Sequence, residues 1–430
     1  MKKKWIRIAT IGVFVLMITA LPLSWYLKPE EERTDNSENR VLAELPQVTE
    51  AEDILNVPQA FDAYYSDHLP YKEKMVSIKS DVEMSLFQQL DSDQVILGTE
   101  APWLFYKAAD GQPLENYKHT NPFSEESMAK IAEVLYSLQT KLYEEGTDFV
   151  LIIAPDKETI YGPDYMPSDI KVMEENPQRT EQLLAYLEEH APDIKIIYPK
   201  DVMMAEKKGL ETAAEEATAA AKESDGTGAV YAGWPLYYES DTHWNKIGAK
   251  VCADELFDLL AETDRNYLTE YIDVTITDLG DGSDEAYPAG EKMYKKGDMQ
   301  TLAQLPDSFN SQEFRAEGTL PADETYLVKA PGGEEVYQRY RSADSRCAKK
   351  SLYFVGDSFR WNIADFLKGR TEDCTIASRY YLDLADVAEQ QPDVFVYMLA
   401  ERYLHELEVL PGVAAPALAY TDEFQKADIY

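Results

Sequence analysis

Three short stretches of the chain are apolar almost without interruption: FVLIIAP at 149–155, SLYFV at 351–355 and DVFVYML at 393–399. A strand with one wet face alternates apolar and polar residues, and these do not alternate. Such runs belong to strands covered on both faces, which is the situation inside a parallel sheet flanked by helices.

The segments between the runs fit that reading. Ser124 followed by Glu125 and Glu126 starts a helix whose apolar stripe is Met128, Ile131, Leu135, Leu138 and Leu142, and Gly146 ends it. A second helix is expected over about 180–190, then a strand at IKIIY (194–198). A strong helix follows over 245–261, burying Ile247, Val251, Leu256, Leu259 and Leu260. After SLYFV comes a helix to about Leu367, then a strand at CTIAS (374–378). Helices alternating with buried strands predict an α/β fold, a doubly wound parallel sheet with helices on both faces.

Other parts break the rhythm. Residues from about 53 to 90 read as mostly helical, interrupted at Pro58 and Pro70, and QVILGTEAPWLFY (94–106) reads as a hairpin. The Ala/Glu-rich stretch 205–229 has no large apolar face and reads as a solvated helix or a loop. Residues 277–345 are Gly/Asp-rich and then strand-like, an insertion read as an excursion from the main sheet.

At the N-terminus, a basic tail (1–7) precedes an uncharged stretch at 8–27. Roughly 20 apolar residues span a bilayer as a helix. With no persuasive small-x-small site before Trp25 and Tyr26, a retained single-pass anchor is favoured over a cleaved signal peptide. On this reading the N-terminus is inside, 28–50 is a juxtamembrane linker and 51–430 is an extracytoplasmic domain at the cell membrane.

Across the whole chain 79 acidic residues oppose 41 basic ones, a net charge of −38. That surface repels polyanions, and there is no basic stripe with interleaved aromatics, so nucleic acid is not an expected partner. No Cys/His cluster has zinc-ligand spacing, and neither a metal nor a cofactor is expected. Cys252 reads as core; Cys347 and Cys374 have a spacing that leaves pairing open.

Two short motifs carry chemistry. VGDSF places Ser358 directly after a buried strand and before a helix, where its Oγ projects from the end of the sheet beside free backbone N–H groups. Read alone, Asp-Ser is equally an ordinary helix cap. A serine hydroxyl needs a base, and the base needs an orienting acid. DTHWN supplies both. Asp241 and His243, two apart in an extended chain, leave the same face, so the carboxylate can hold one ring nitrogen while the other meets a serine. Trp244 can pack beside the imidazole, and Asn245 opens the next helix. His119, His190 and His405 lack a paired acid near a strand-end nucleophile, and Asp67-His68 is a weaker rival.

These motifs and several others resemble the DHHW family and the alginate O-acetyltransferase-like, SGNH-hydrolase-like proteins. SENRVLAELP is similar to the family's juxtamembrane opening. FDAYYSDHLPYKEKM resembles another family segment, with Lys72 where arginine is usual. VILGTEAPWLFY resembles its Trp-Leu-Phe block, with Ala101-Pro102 replacing a glycine. APDKETIYGPDYMP matches at Pro155, Lys157 and Tyr161, and PDVFVYMLAERYL is similar to its closing strand with Glu401-Arg402.

The resemblance implies an SGNH-hydrolase-like sheet with permuted motif order, and a triad of Ser358 as nucleophile, His243 as base and Asp241 as orienter. It implies an acetyl-serine intermediate, with the acetyl group passed to a polysaccharide hydroxyl. A membrane-bound O-acyltransferase would be the partner that supplies acetyl. The oxyanion donors would be the backbone N–H of Ser358 and a nearby side chain, with Asn245 and Arg402 as substrate-binding or oxyanion candidates. A carbohydrate esterase that uses water in the second step, and a non-catalytic envelope polysaccharide assembly or binding protein, are the competing expectations.

Overall fold

The computed structural model describes residues 57–67, 90–108, 111–223, 233–267, 275–278, 294–329, 335–410 and 425–428, with isolated positions before residue 90. They fall into two compact units, 1–92 with 300–308, and 93–299 with 309–430. In the first unit the helix Val57–Asp67 runs through Pro58, a proline tolerated in a first turn.

The second unit is built on one sheet. A hairpin of β1 (Val95–Leu97) and β2 (Leu104–Tyr106) precedes β3 (Asp148–Ala154) and β4 (Lys195–Ile197). Two small ribbons follow: β5 (Thr275–Asp278) pairs with β8 (Phe314–Glu317), and β6 (Tyr294–Lys295) with β7 (Ser311–Gln312). Then come β9 (Glu324–Lys329), β10 (Glu335–Arg341), β11 (Ala348–Gly356), β12 (Thr371–Ser378), β13 (Val394–Ala400) and β14 (Gln425–Asp428). The main sheet has the order β14-β9-β10-β12-β11-β13-β3-β4. From β12 to β4 all neighbours are parallel, and β10, β9 and β14 add an antiparallel edge.

The non-alternating runs are buried on both faces. Val150, Ile152, Phe354, Val396 and Met398 face one core, with the helices Lys157–Tyr165, Lys246–Thr263 and Arg360–Leu367 over them. Phe149, Leu151, Ile153, Val355, Phe395 and Leu399 face the other, under Glu125–Glu144, Arg179–His190 and the 3-10 segment Glu401–Val409. Each such buried side chain contributes roughly 1.5–3 kcal/mol of transfer free energy, and the five-strand parallel centre is the wall against which both cores pack. The first of these helices is capped by Ser124, whose side chain accepts from Ser127 N, and its buried stripe includes all five residues expected from the sequence.

Part of the 277–345 insertion is more tightly tied to the sheet than the sequence suggests. Its strands β9 and β10 continue the main sheet, β10 pairing with β12 from Tyr337–Ala377 to Arg341–Asp373. Helix Lys200–Glu223 covers most of the Ala/Glu-rich stretch, and residues 224–232 lie outside the described residues. All three cysteines are buried and free, so Cys347 and Cys374 do not pair.

The membrane location expected at 8–27 is corrected. Among the described residues no helix is long and apolar enough to cross a membrane, and most of 8–27 lies outside them.

Candidate active site

Residues 236–245 form a tight reversal rather than the extended segment expected. Tyr238 N donates to His243 O at 3.2 Å and Asn245 N to Leu236 O at 2.9 Å. Inside that reversal one oxygen of Asp241 accepts both the backbone N–H of His243 (3.0 Å) and its Nδ1 (2.6 Å). The short Asp-x-His spacing therefore works through an Asx-type turn, which fixes the imidazole to its own backbone.

The other ring nitrogen meets the serine. His243 Nε2 lies 2.7 Å from Ser358 Oγ, across 115 positions of sequence. Burial alone would raise the Asp241 carboxyl, but the hydrogen bond and charge of His243, together with Lys295, outweigh it and hold the group well below the usual carboxylate range. An ionised carboxylate only accepts, so the proton at this contact sits on Nδ1, leaving Nε2 as an acceptor for the Ser358 O–H. Asp241 is buried, while the His243 side chain is 18% exposed and Ser358 is half-buried, so the reacting end of the chain is accessible.

The serine sits on a turn between β11 and helix Arg360–Leu367, two residues ahead of that helix and not as its cap. Asp357 shapes this turn. Its Oδ1 accepts from Phe359 N at 3.0 Å and its Oδ2 from Ala400 N at 2.6 Å, tying the turn to the end of β13. Gly356 has an ordinary φ; a Cβ there would crowd Arg360 and Met398, so it serves close packing and not the reversal itself. The backbone N–H of Ser358 has no acceptor among the described residues, as a donor reserved for an oxyanion requires.

Two contacts hold the turns together. Trp244 Nε1 donates to Phe359 O at 3.0 Å, and Asn362 Nδ2 donates to Trp244 O at 2.7 Å. Phe359, and not Trp244, packs on the imidazole, with ring centroids 4.9 Å apart.

The two other candidates are placed differently from the expectation. Asn245 spends its side chain on the helix, Oδ1 accepting from Ile247 N at 2.8 Å, and on the loop, Nδ2 donating to Pro235 O at 2.6 Å. Arg402 is buried, donates to Asp156 at 2.6 Å and lies 5.2 Å from the Phe359 ring. Both are committed to other groups, and both support the site from outside.

Three residues had no role assigned from the sequence. Lys157, 1% exposed, donates to the carbonyls of Tyr238 (3.2 Å), Glu239 (2.8 Å) and Asp241 (2.7 Å). Burial lowers its pKa to about 8, against the pull of Glu158, Asp298 and Asp241. Tyr161 accepts from Leu236 N at 2.8 Å. The matching block at Pro155, Lys157 and Tyr161 is thus a brace for the histidine loop. Asp298 accepts from Thr242 N at 2.8 Å and Thr242 Oγ1 at 2.6 Å.

Asp241, His243 and Asp298 bring potential ligand atoms within 4.8 Å of one another. These residues are already joined by hydrogen bonds among themselves and to Thr242, which describes a relay and not a cation cage. Of the other histidines, His119 Nδ1 contacts Asn176 O at 2.9 Å, His190 ends a helix against Tyr186, and His405 is exposed; His68 lies outside the described residues.

No family model and no curated protein matches the chain. Solved structures with a similar fold include PatB1 of Bacillus cereus, 14% identical with a TM-score of 0.47, covering 74% of this chain and 99% of that one. The O-acetyltransferase domain of Pseudomonas putida AlgJ is 18% identical with a TM-score of 0.41, over 73% of this chain and 92% of that one. A DHHW family protein from Eubacterium siraeum is 11% identical with a TM-score of 0.42, over 65% and 88%. The last two carry the names of the groups that the sequence motifs resemble.

Proposed function

We propose that the protein is a serine acyltransferase that moves an acetyl group onto a hydroxyl of a polysaccharide through an acetyl-serine. The observation that carries this reading is the unbroken chain from Ser358 Oγ to His243 Nε2 at 2.7 Å and from Nδ1 to Asp241 at 2.6 Å.

In the first step Oγ attacks the acyl carbonyl as Nε2 takes its proton. The oxyanion meets the free N–H of Ser358, and collapse expels the donor's alkoxide, which takes the proton from Nε2. Asp241 stays ionised and stabilises the transient imidazolium. In the second step Nε2 deprotonates an acceptor hydroxyl, its oxygen attacks the acetyl-serine, and Oγ regains a proton. The acetyl group and the glycan acceptor are what the motif resemblance adds to this geometry, together with a membrane-bound O-acyltransferase as acetyl source.

Water in place of the sugar gives an esterase by the same residues, and the incomplete burial of Ser358 is the observation favouring that second reading. The test is purified protein with an acetyl ester and a glycan acceptor. Acetyl appearing on the glycan in wild type and not in Ser358→Ala supports transfer; free acetate alone supports the esterase.

A further inference from the structure

The segment Lys295-Lys296-Gly297-Asp298 lies in the Gly/Asp-rich insertion, away from both motifs in sequence, yet it closes on the back of the histidine loop. Asp298 N donates to Asp241 Oδ2 at 3.0 Å, so the carboxylate oxygen left over from the imidazole is also held. Lys295 Nζ lies 3.2 Å from the same oxygen and 4.2 Å from the centroid of the Tyr238 ring. The Asp298 carboxylate accepts from the backbone and hydroxyl of Thr242, and its Oδ2 is 3.6 Å from His243 Nδ1. Thr242 Oγ1 is itself 3.3 Å from Nδ1. Gly297 runs against Ser240 so closely that a Cβ would overlap the Ser240 carbonyl. Ser311, from β7, contacts Ser240 N at 3.1 Å and Ser240 Oγ at 3.0 Å.

We infer that Asp298 is a positioning residue for the Ser358–His243–Asp241 relay: a second carboxylate, delivered by the insertion, that locks Thr242 and adds negative charge beside Nδ1. The inference rests on the catalytic reading of that relay. Its physical sense is that Asp241 is held from both sides, by the imidazole and by Asp298 N with Lys295. The Asp298 carboxylate offsets the positive charge of Lys295 and favours the imidazolium formed during acyl transfer. Among the described residues, the charged groups facing the imidazole and its acid are Asp241 on the loop, Lys295 and Asp298 on the insertion, and Lys157 on the helix Lys157–Tyr165.

The test uses the full chain with p-nitrophenyl acetate. Asp298→Asn keeps the backbone donor and the shape but removes the charge; Asp298→Ala also removes the grip on Thr242. We expect Asp298→Asn to lower kcat about 10-fold with KM within about 2-fold, as for a group acting on the chemical step. The acidic limb of the kcat/KM profile should move to lower pH. Asp298→Glu should recover part of the loss. A readout independent of turnover is the low-field proton signal of the His243 Nδ1–H shared with Asp241, which should move in Asp298→Asn. An unchanged signal in folded Asp298→Asn overturns the inference, whatever the activity. A moved signal with Ser358→Ala as active as wild type upholds the clamp and places the failure in the catalytic reading.

Discussion

The indole of Trp244 donates to the carbonyl of Phe359 at 3.0 Å, and this bond, with that from Asn362 to the Trp244 carbonyl, joins the turn carrying His243 to the turn carrying Ser358. Trp244 and Phe359 are fully buried. Trp244→Phe keeps an aromatic ring but leaves the Phe359 carbonyl without its partner. A lost buried hydrogen bond plus a smaller ring costs about 1–3 kcal/mol. The expected result is a lower urea midpoint and a kcat reduced on the order of 10-fold, since slight misplacement of reacting groups is costly. Equilibrium unfolding and ester turnover on the same sample check both.

Asp241→Asn is expected to reduce kcat by roughly 10⁴-fold, because an amide can hold the wrong tautomer of the imidazole. The sign with pH follows from the depressed carboxyl of Asp241. Its folded value lies below its unfolded one, so its stabilising contribution is present above about pH 4 and is lost only as pH falls further, through the folded value. The stability gap between wild type and Asp241→Asn should therefore be flat from neutral pH down to about 4 and close below it, a curve that acid unfolding monitored by circular dichroism can draw.

Lys157 predicts a rise of stability with pH in a higher window. Burial lowers its pKa to about 8 from 10.5, so the folded state releases this proton first and stability rises with pH between those values. Comparing wild type with Lys157→Met removes other titrations. The difference should grow in favour of wild type between pH 7 and 10, by up to about 3 kcal/mol. Loss of the three carbonyl contacts should also loosen residues 238–241, lowering kcat in the variant. A difference in denaturation free energy that stays constant with pH would contradict the assignment.

Asn245 separates two roles. With its side chain occupied by the helix cap and Pro235, Asn245→Ala should cost about 1–2 kcal/mol of stability and leave kcat within a few-fold. A 100-fold loss of kcat in fully folded variant protein would instead make it an oxyanion donor.

The sheet was legible because its strands do not alternate: runs such as Phe149–Ala154 have no alternative burial. Ser358, His243 and Asp241 were legible because each is of a type that chemistry needs and each sits beside a strand or helix end. Asn245 shows the limit, since capping and oxyanion binding ask for the same side chain and only its partners decide. Lys157 and Asp298 were not legible as supports of the site. A lysine at the start of a helix and an aspartate after glycine look like solvent-facing residues, and nothing local says that three carbonyls or a threonine await them. The antiparallel strands β9 and β10 were read as an excursion because their exposed residues dilute the apolar signal, while the register of β10 with β12 is a long-range property.

The most direct test is to quench the protein with acid during turnover of an acetyl ester and to map the acetyl group by peptide mass. One acetyl on Ser358, absent in His243→Ala, is the predicted result. Undiminished turnover in Ser358→Ala, with no acetyl on the wild-type serine, would contradict the account.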